Sequence, residues 1–222
     1  FRSSMAESPS DEGLKMSPFK VVENYQIKRD LLTFLQNSVR EPKLQYEDMK
    51  VKLYGCLRIK QRIEDVLKTD GPDALIATLR LTMENVRTEV KRRISEWPDM
   101  TVRTYIIQDS TLRENCIAKI NCQLTKKGDR LIFDFRGSAP EFTNRPTNTV
   151  LAGLKGMLSQ LVMCYIWPDL PRGQAAFAPI EVITDPYSIL NSSYNAPNSQ
   201  SLMSTSPGSR RGNTPSPNSS IA

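Results

Sequence analysis

A change of hydrophobic period near residue 100 constrains this chain more than any other feature of its sequence. Before it, apolar residues recur three and four apart, the spacing that places them on one side of an α-helix. Leu31, Leu32, Phe34, Leu35 and Val39 form a first such set, which Arg40-Glu41-Pro42 is expected to end. Met49, Leu53, Cys56, Leu57, Ile63, Val66 and Leu67 predict a second helix over 46–68. Leu75, Ile76, Leu79, Met83, Val86, Val90 and Ile94 predict a third over 72–96, opened by Pro72 after Asp70-Gly71. So short a turn between the second and third helices favours an antiparallel helical hairpin.

After residue 100 the period falls to two. "TVRTYII" at 101–107, "NCIAKINCQL" at 115–124 and "RLIFDF" at 130–135 alternate as strands do, with a hairpin turn expected around Lys127 to Asp129. A further helix is expected over 149–166 with Asn148 as its N-cap, and a last strand, "PIEVI", over 179–183. The expected class is therefore α+β: a helical hairpin, then an antiparallel sheet with one more packed helix, as part of a larger multidomain fold. The expected organisation is an irregular leading segment over 1–27, a helical region over 28–99, a strand-rich region over 100–203 and a disordered tail over 204–222. Low apolar content supports disorder through most of the Ser-, Asn- and Pro-rich stretch from Asn191 onward.

Composition narrows the chemistry. There is no histidine among the 222 residues, which removes the commonest general base and the commonest transition-metal ligand. With no Cys-x-x-Cys pair either, no metal site is expected within the chain, and Cys56, Cys116, Cys122 and Cys164 read as reduced thiols of a cytoplasmic protein. No phosphate loop, Gly-x-Ser-x-Gly elbow or Ser-His-Asp set is present. The formal charge of +6 is spread among acidic residues without a basic patch interleaved with aromatics, so nucleic acid is not expected as a partner. No apolar run reaches membrane-spanning length. The opening "FRSSMAESPSDE" lacks the pattern of a secretory leader, and a start on Phe1 suggests a fragment. The basic run "EVKRR" at 89–93 reads either as a partner-binding stripe or as a solvated face on which Glu89 pairs with Arg93.

One segment stands out as a candidate site, "RLIFDFRGSAPEFTNRP" at 130–146. Asp134 lies between two large apolar residues near a strand end, and Gly137 frees the backbone to turn directly afterwards. Ser138, Thr143, Asn144 and Asn148 supply hydroxyl and amide groups on the approach to a helix N-terminus, where backbone N–H groups accept anions. On pattern alone, a strand, a loop and a helix cap suffice to account for the segment.

These residues also resemble a known family. "FDFRGSAP" at 133–140, Asn148, the apolar helix after it, "WPDLPRGQAAFAPIEVI" at 167–183 and "DPYSILN" at 185–191 are similar to the second half of the hydantoinase B, oxoprolinase and acetone carboxylase alpha-subunit family. "MSPFKVVENYQIKRDLLTFLQNSVREP" at 16–42 is similar to an upstream segment of the same family, and the likeness covers roughly 11–203. The resemblance implies a fragment of a subunit of an ATP-dependent enzyme that hydrolyses cyclic amides or carboxylates ketones. It implies a hetero-oligomer in which a hydantoinase A-type partner subunit handles ATP with Mg, and a divalent metal in a region upstream of the matched part. Asp134, Gly137, Ser138 and Asn148 then become candidates for binding substrate or shaping the loop, with the catalytic residues unassigned and the fragment expected to be inactive alone. The competing reading is a non-catalytic interaction module that binds a protein or anionic partner through its helical, basic surface.

Overall fold

The structure is a computed structural model and describes residues 5–111 and 113–199. The chain divides into two compact units, one of residues 14–85 and the other formed by the N-terminal residues up to Gly13 together with the chain from Val86 onward.

The first unit begins with a small hairpin, β1 (Val22–Glu23) paired antiparallel with β2 (Gln26–Ile27), followed by α1 (Arg29–Asn37). Ser38 closes α1 by donating its backbone N–H to Phe34 and Leu35, so the helix ends before Pro42 is reached. Pro42 instead opens α2 (Pro42–Ser95), where a missing N–H costs nothing in a first turn. At Gly71 the helix is interrupted by φ 81°, ψ 168°, backbone values that glycine adopts without the steric penalty a side chain would carry. The break divides the two helical segments at the place Asp70-Gly71-Pro72 indicates.

The second unit carries the sheet. β3 (Met100–Ser110), β4 (Asn115–Lys127) and β5 (Arg130–Asp134) pair antiparallel in sequence order, with Thr104 opposite Cys122 and Leu124 opposite Phe133. After β5 come α3 (Leu151–Tyr165), the short α4 (Gln174–Phe177) and β6 (Ile180–Ile183). β6 lies beside β5 in parallel, Leu131 opposite Ile180. The sheet is therefore mixed, which corrects the expectation of a wholly antiparallel one. The physical reason is the helical connection: an excursion through α3 and α4 brings the chain back to the same end of the sheet before the next strand starts.

The class is α+β, with the core in this second unit. Ala118 and Ile120 of β4 and Leu131 and Phe133 of β5 point to the face covered by Leu154, Val162 and Met163 of α3 and by Val86, Val90 and Ile94 of α2. Full burial of such an aliphatic side chain contributes roughly 1.5–3 kcal/mol each. Helix gives way to strand between Ser95 and Met100, while the division between the compact units lies inside α2, at Asn85 and Val86, because only the last turns of the helix bury their apolar side chains in this core. Upstream of it the periodic positions stay open, with Leu79 57% and Met83 52% exposed.

Ion pairs fix the helix end and the β4–β5 turn. Arg93 donates to both carboxylate oxygens of Asp169, at 2.8 and 2.6 Å, and to Glu89 at 2.7 Å, so the Glu89 to Arg93 pairing is present. Buried Lys126 donates to Asp99 at 2.7 Å, and Asp99 also accepts the Gly128 N–H.

Two further expectations change. Within 1–27, Pro9–Glu12 forms a turn of 3₁₀ helix closed by Asp11, and Ala6 is fully buried. The stretch from Asn191 to Ser199 is ordered: Ala196 and Pro197 are buried, and the Glu12 carboxylate accepts the backbone N–H groups of Asn198 and Ser199. The tail expected over 204–222 lies outside the described residues. Among those described, no helix is long and apolar enough to cross a membrane.

Candidate functional site

The segment from Asp134 to Asn148 forms a corner at the end of β5, where the strand leaves the sheet. Phe135 still faces the core, its ring stacked 6.4 Å from that of Phe133, and its backbone N–H donates to Ile183. Asp134 points to the opposite, outer face by strand alternation. There Arg136 grips it, Nε lying 3.0 Å from both carboxylate oxygens and Nη2 2.5 Å from one of them, and the Arg136 backbone N–H adds a third donor. The guanidinium holds the Asp134 carboxyl below the usual aspartate range, with the Arg136 N–H acting in the same direction against partial burial. A carboxylate so engaged is a weak proton acceptor, and it serves here as an anchor.

Gly137 makes the turn itself. Its φ of +75° lies in the left-handed region, and an added Cβ would sit 2.9 Å from Nδ2 of Asn121. The Gly137 N–H donates to Asp185 at 2.7 Å, and its carbonyl accepts from Asn121 at 2.6 Å. Ser138 stitches the turn to β4: its hydroxyl donates to the Phe135 carbonyl at 2.7 Å and accepts the Asn121 N–H at 3.0 Å. The chain then pairs with the segment after β6, Ala139 accepting from Ile189 and Glu141 donating to Tyr187.

Asn148 does not cap α3. Val150 occupies the N-cap position, and no side chain accepts a capping bond there. Asn148 is instead fully buried, accepting the Phe142 N–H at 2.7 Å and donating to the carbonyls of Phe142, Arg145 and Pro197. It clamps a loop on itself and ties that loop to the 191–199 stretch. The Thr149 N–H at the approach to the helix is likewise taken by Ile189, so it is not open to an anion. Asp134, Gly137 and Ser138 thus share one corner, while Asn148 secures the loop that follows.

Asn121 and Asp185 complete the corner, and neither is among the candidate site residues read from the sequence. Asn121 looks like any polar residue on the outer face of an alternating strand. Asp185 begins the "DPYSILN" stretch, which is a usable signal.

Beside the corner, the outer face of the sheet carries an open concavity of about 780 Å³ lined by Arg103, Lys119, Asn121, Asp134 and Arg136. Arg103 is held by Gln123 at 2.7 Å, and the Lys119 ammonium sits 5.2 Å from the Tyr105 ring centroid. With Arg136 committed to Asp134, Arg103 and Lys119 give this surface a net positive character suited to a carboxylate or another small oxyanion.

The hydantoinase B/oxoprolinase family pattern matches residues 3–208. The chain belongs to that family. Among its relatives, the acetophenone carboxylase delta subunit of Aromatoleum aromaticum is 25% identical over 77% of this chain and 25% of its own length. The putative B-type subunit of a D-/L-hydantoinase from a Pseudomonas species is 23% identical over 84% of this chain and 33% of its own length. In fold, the nucleotide-free structure of acetone carboxylase, from work on ATP-dependent acetone carboxylation, aligns over 92% of this chain and 29% of its own, with a TM-score of 0.82 at 19% identity. The ATP-dependent caprolactamase of Pseudomonas jessenii aligns over 88% and 34%, with a TM-score of 0.74 at 21% identity. The chain thus spans a quarter to a third of the length of these relatives. Among the described residues no group of three or more His, Cys, Asp or Glu side chains comes together to hold an ion.

Proposed function

We propose that this chain is part of a hydantoinase B-type subunit of an ATP-dependent enzyme that hydrolyses a cyclic amide or carboxylates a ketone. A hydantoinase A-type partner handles ATP with Mg, and any divalent metal is bound outside this region. The observation that carries the reading is the family match across residues 3–208. The relatives' names supply the substrate range: a hydantoin, caprolactam, acetone or acetophenone. Within this region Asp134, Gly137, Ser138 and Asn148 act by shaping and holding the corner. Their polar atoms are already bonded to neighbouring backbone or to Arg136, which supports positioning over proton transfer.

The test is to co-express the full-length subunit that contains this region with its hydantoinase A-type partner. The copurified complex is then assayed for ring opening of hydantoin, 5-oxoproline and caprolactam, and for bicarbonate-dependent consumption of acetone and acetophenone. One substrate class should turn over with stoichiometric ATP cleavage, and only with both subunits present. A complex that assembles but consumes ATP with none of these substrates would overturn the reading.

The second reading, an interaction module that binds a protein or anionic partner through its helical and basic surface, draws on the open apolar positions of α2 such as Leu79 and Met83. It predicts a stable complex formed by the 222-residue chain alone, with no dependence on nucleotide.

A further inference from the structure

We propose that the trough between the inner face of β3–β5 and α3 is a binding site for a neutral, largely apolar small molecule. Its floor is built by Ile106, Cys122 and Phe133 and its wall by Met157, Leu161 and Cys164, enclosing about 460 Å³, a volume in the small-molecule range. The trough exists because the sheet is wider than the helix that covers it. α3 seals β4 and β5, burying Ile120 and Phe133, whereas β3 runs on beside it with Ile106 53% exposed.

The chemistry of the lining selects the ligand. None of the residues lining the trough carries a formal charge, and an ion placed there would lose its hydration without gaining a counter-charge. Burial raises the Cys122 thiol above its ordinary range, with the charge on Asp134 adding to it, so this part of the floor is uncharged at physiological pH. The Thr104 hydroxyl and Gln160 amide border the space and offer hydrogen bonds to one carbonyl or amide group. On the opposite face of the same strands, the Arg103 and Lys119 concavity has the reverse character, so one sheet separates a site for a neutral molecule from a surface for an anion.

The test uses the 222-residue chain and prodan, a neutral aromatic ketone whose emission shifts to the blue in apolar surroundings. Saturable binding is expected, with protection of Cys122 and Cys164 from iodoacetamide while Cys56, in the other unit, is alkylated at an unchanged rate. Anilinonaphthalene sulfonate, of similar size but anionic, should bind at least tenfold more weakly. Ile106→Lys, at an exposed position where the fold tolerates charge, should weaken prodan at least tenfold and abolish the protection. The proposal is overturned by non-saturable binding, by equal affinity for the sulfonate, or by protection that survives Ile106→Lys. It is also overturned if Cys122 and Cys164 become protected without ligand as the chain dimerises in sedimentation, which would make the trough a seat for a second copy. Because the readout is binding to the chain alone, its failure leaves the ATP-dependent reaction untouched.

Discussion

Two stretches of α2 share one periodicity and have opposite fates. Val86, Val90 and Ile94 are 5%, 0% and 0% exposed, while Leu79 and Met83, on the same stripe, are more than half exposed. The first three pack into the core of the sheet-containing unit, to which they belong. An apolar stripe therefore specifies a helix and the side it would bury, but the stability it contributes depends on a surface supplied elsewhere in the chain.

The sharpest way to break this contrast is Ile94→Ala. It should lower unfolding stability of the sheet-containing unit by about 2–5 kcal/mol, because the cavity opens inside a packed core. Urea denaturation followed by Trp fluorescence checks it, and a loss under about 1 kcal/mol would mean that the buried end is no better packed than the open one.

Next in size is Asn148→Ala, which strips partners from the Phe142 N–H and from the buried Pro197 carbonyl, at a cost of roughly 2–3 kcal/mol. Hydrogen exchange should quicken at Phe142, and the 191–199 stretch should become susceptible to protease before the sheet does.

Gly137→Ala sharpens the role of the corner. The left-handed φ and the 2.9 Å approach to Asn121 should together cost about 1–2 kcal/mol in thermal unfolding. Combining it with Asn121→Ala should recover the steric part and leave the backbone part.

Asp134→Asn should act through pH. The folded-state pKa is depressed by Arg136, so the carboxylate contributes stability that is fully present above the ordinary aspartate value and lost as pH falls through the lower folded one. The difference between wild type and variant should thus be largest near neutrality and shrink below about pH 4, measured by urea midpoints across that range. A constant difference would make the Arg136 contact electrostatically idle.

The smallest effect is expected from Leu79→Ala, within about 0.5 kcal/mol, since the side chain is 57% exposed. A large loss there would show the open stretch to be packed in solution, and the comparison would fail.

Much of the element order is legible in the sequence because strands and helices carry different periods. Leu131, Phe133 and Phe135 alternate in the sequence and do face the core, and the break at Gly71 is marked by its own residue types. The candidate corner is visible in part. Gly137 reads as a turn residue and adopts the required φ, whereas Asn148 reads as a cap because an Asn before an apolar helix commonly is one. Its actual partners lie at Arg145 and Phe142, three and six residues away, and at Pro197, 49 residues away, and no local pattern encodes the last. Asn121 is illegible for the same reason, since its contacts cross from β4 to the corner.

By itself, the sequence determined where helix gives way to strand, the turn at Gly137 and the family motifs around it. These depend on periodicity, on backbone sterics and on residues close together in the chain. Tertiary structure alone decided which half of a helical stripe is buried, that β6 runs parallel to β5, that the 191–199 stretch is held in place by Asn148 and Glu12, and that an uncharged trough and a cationic face lie on opposite sides of one sheet. Burial, strand direction and pocket character each require two segments distant in sequence to meet, and local pattern does not specify which segments those are.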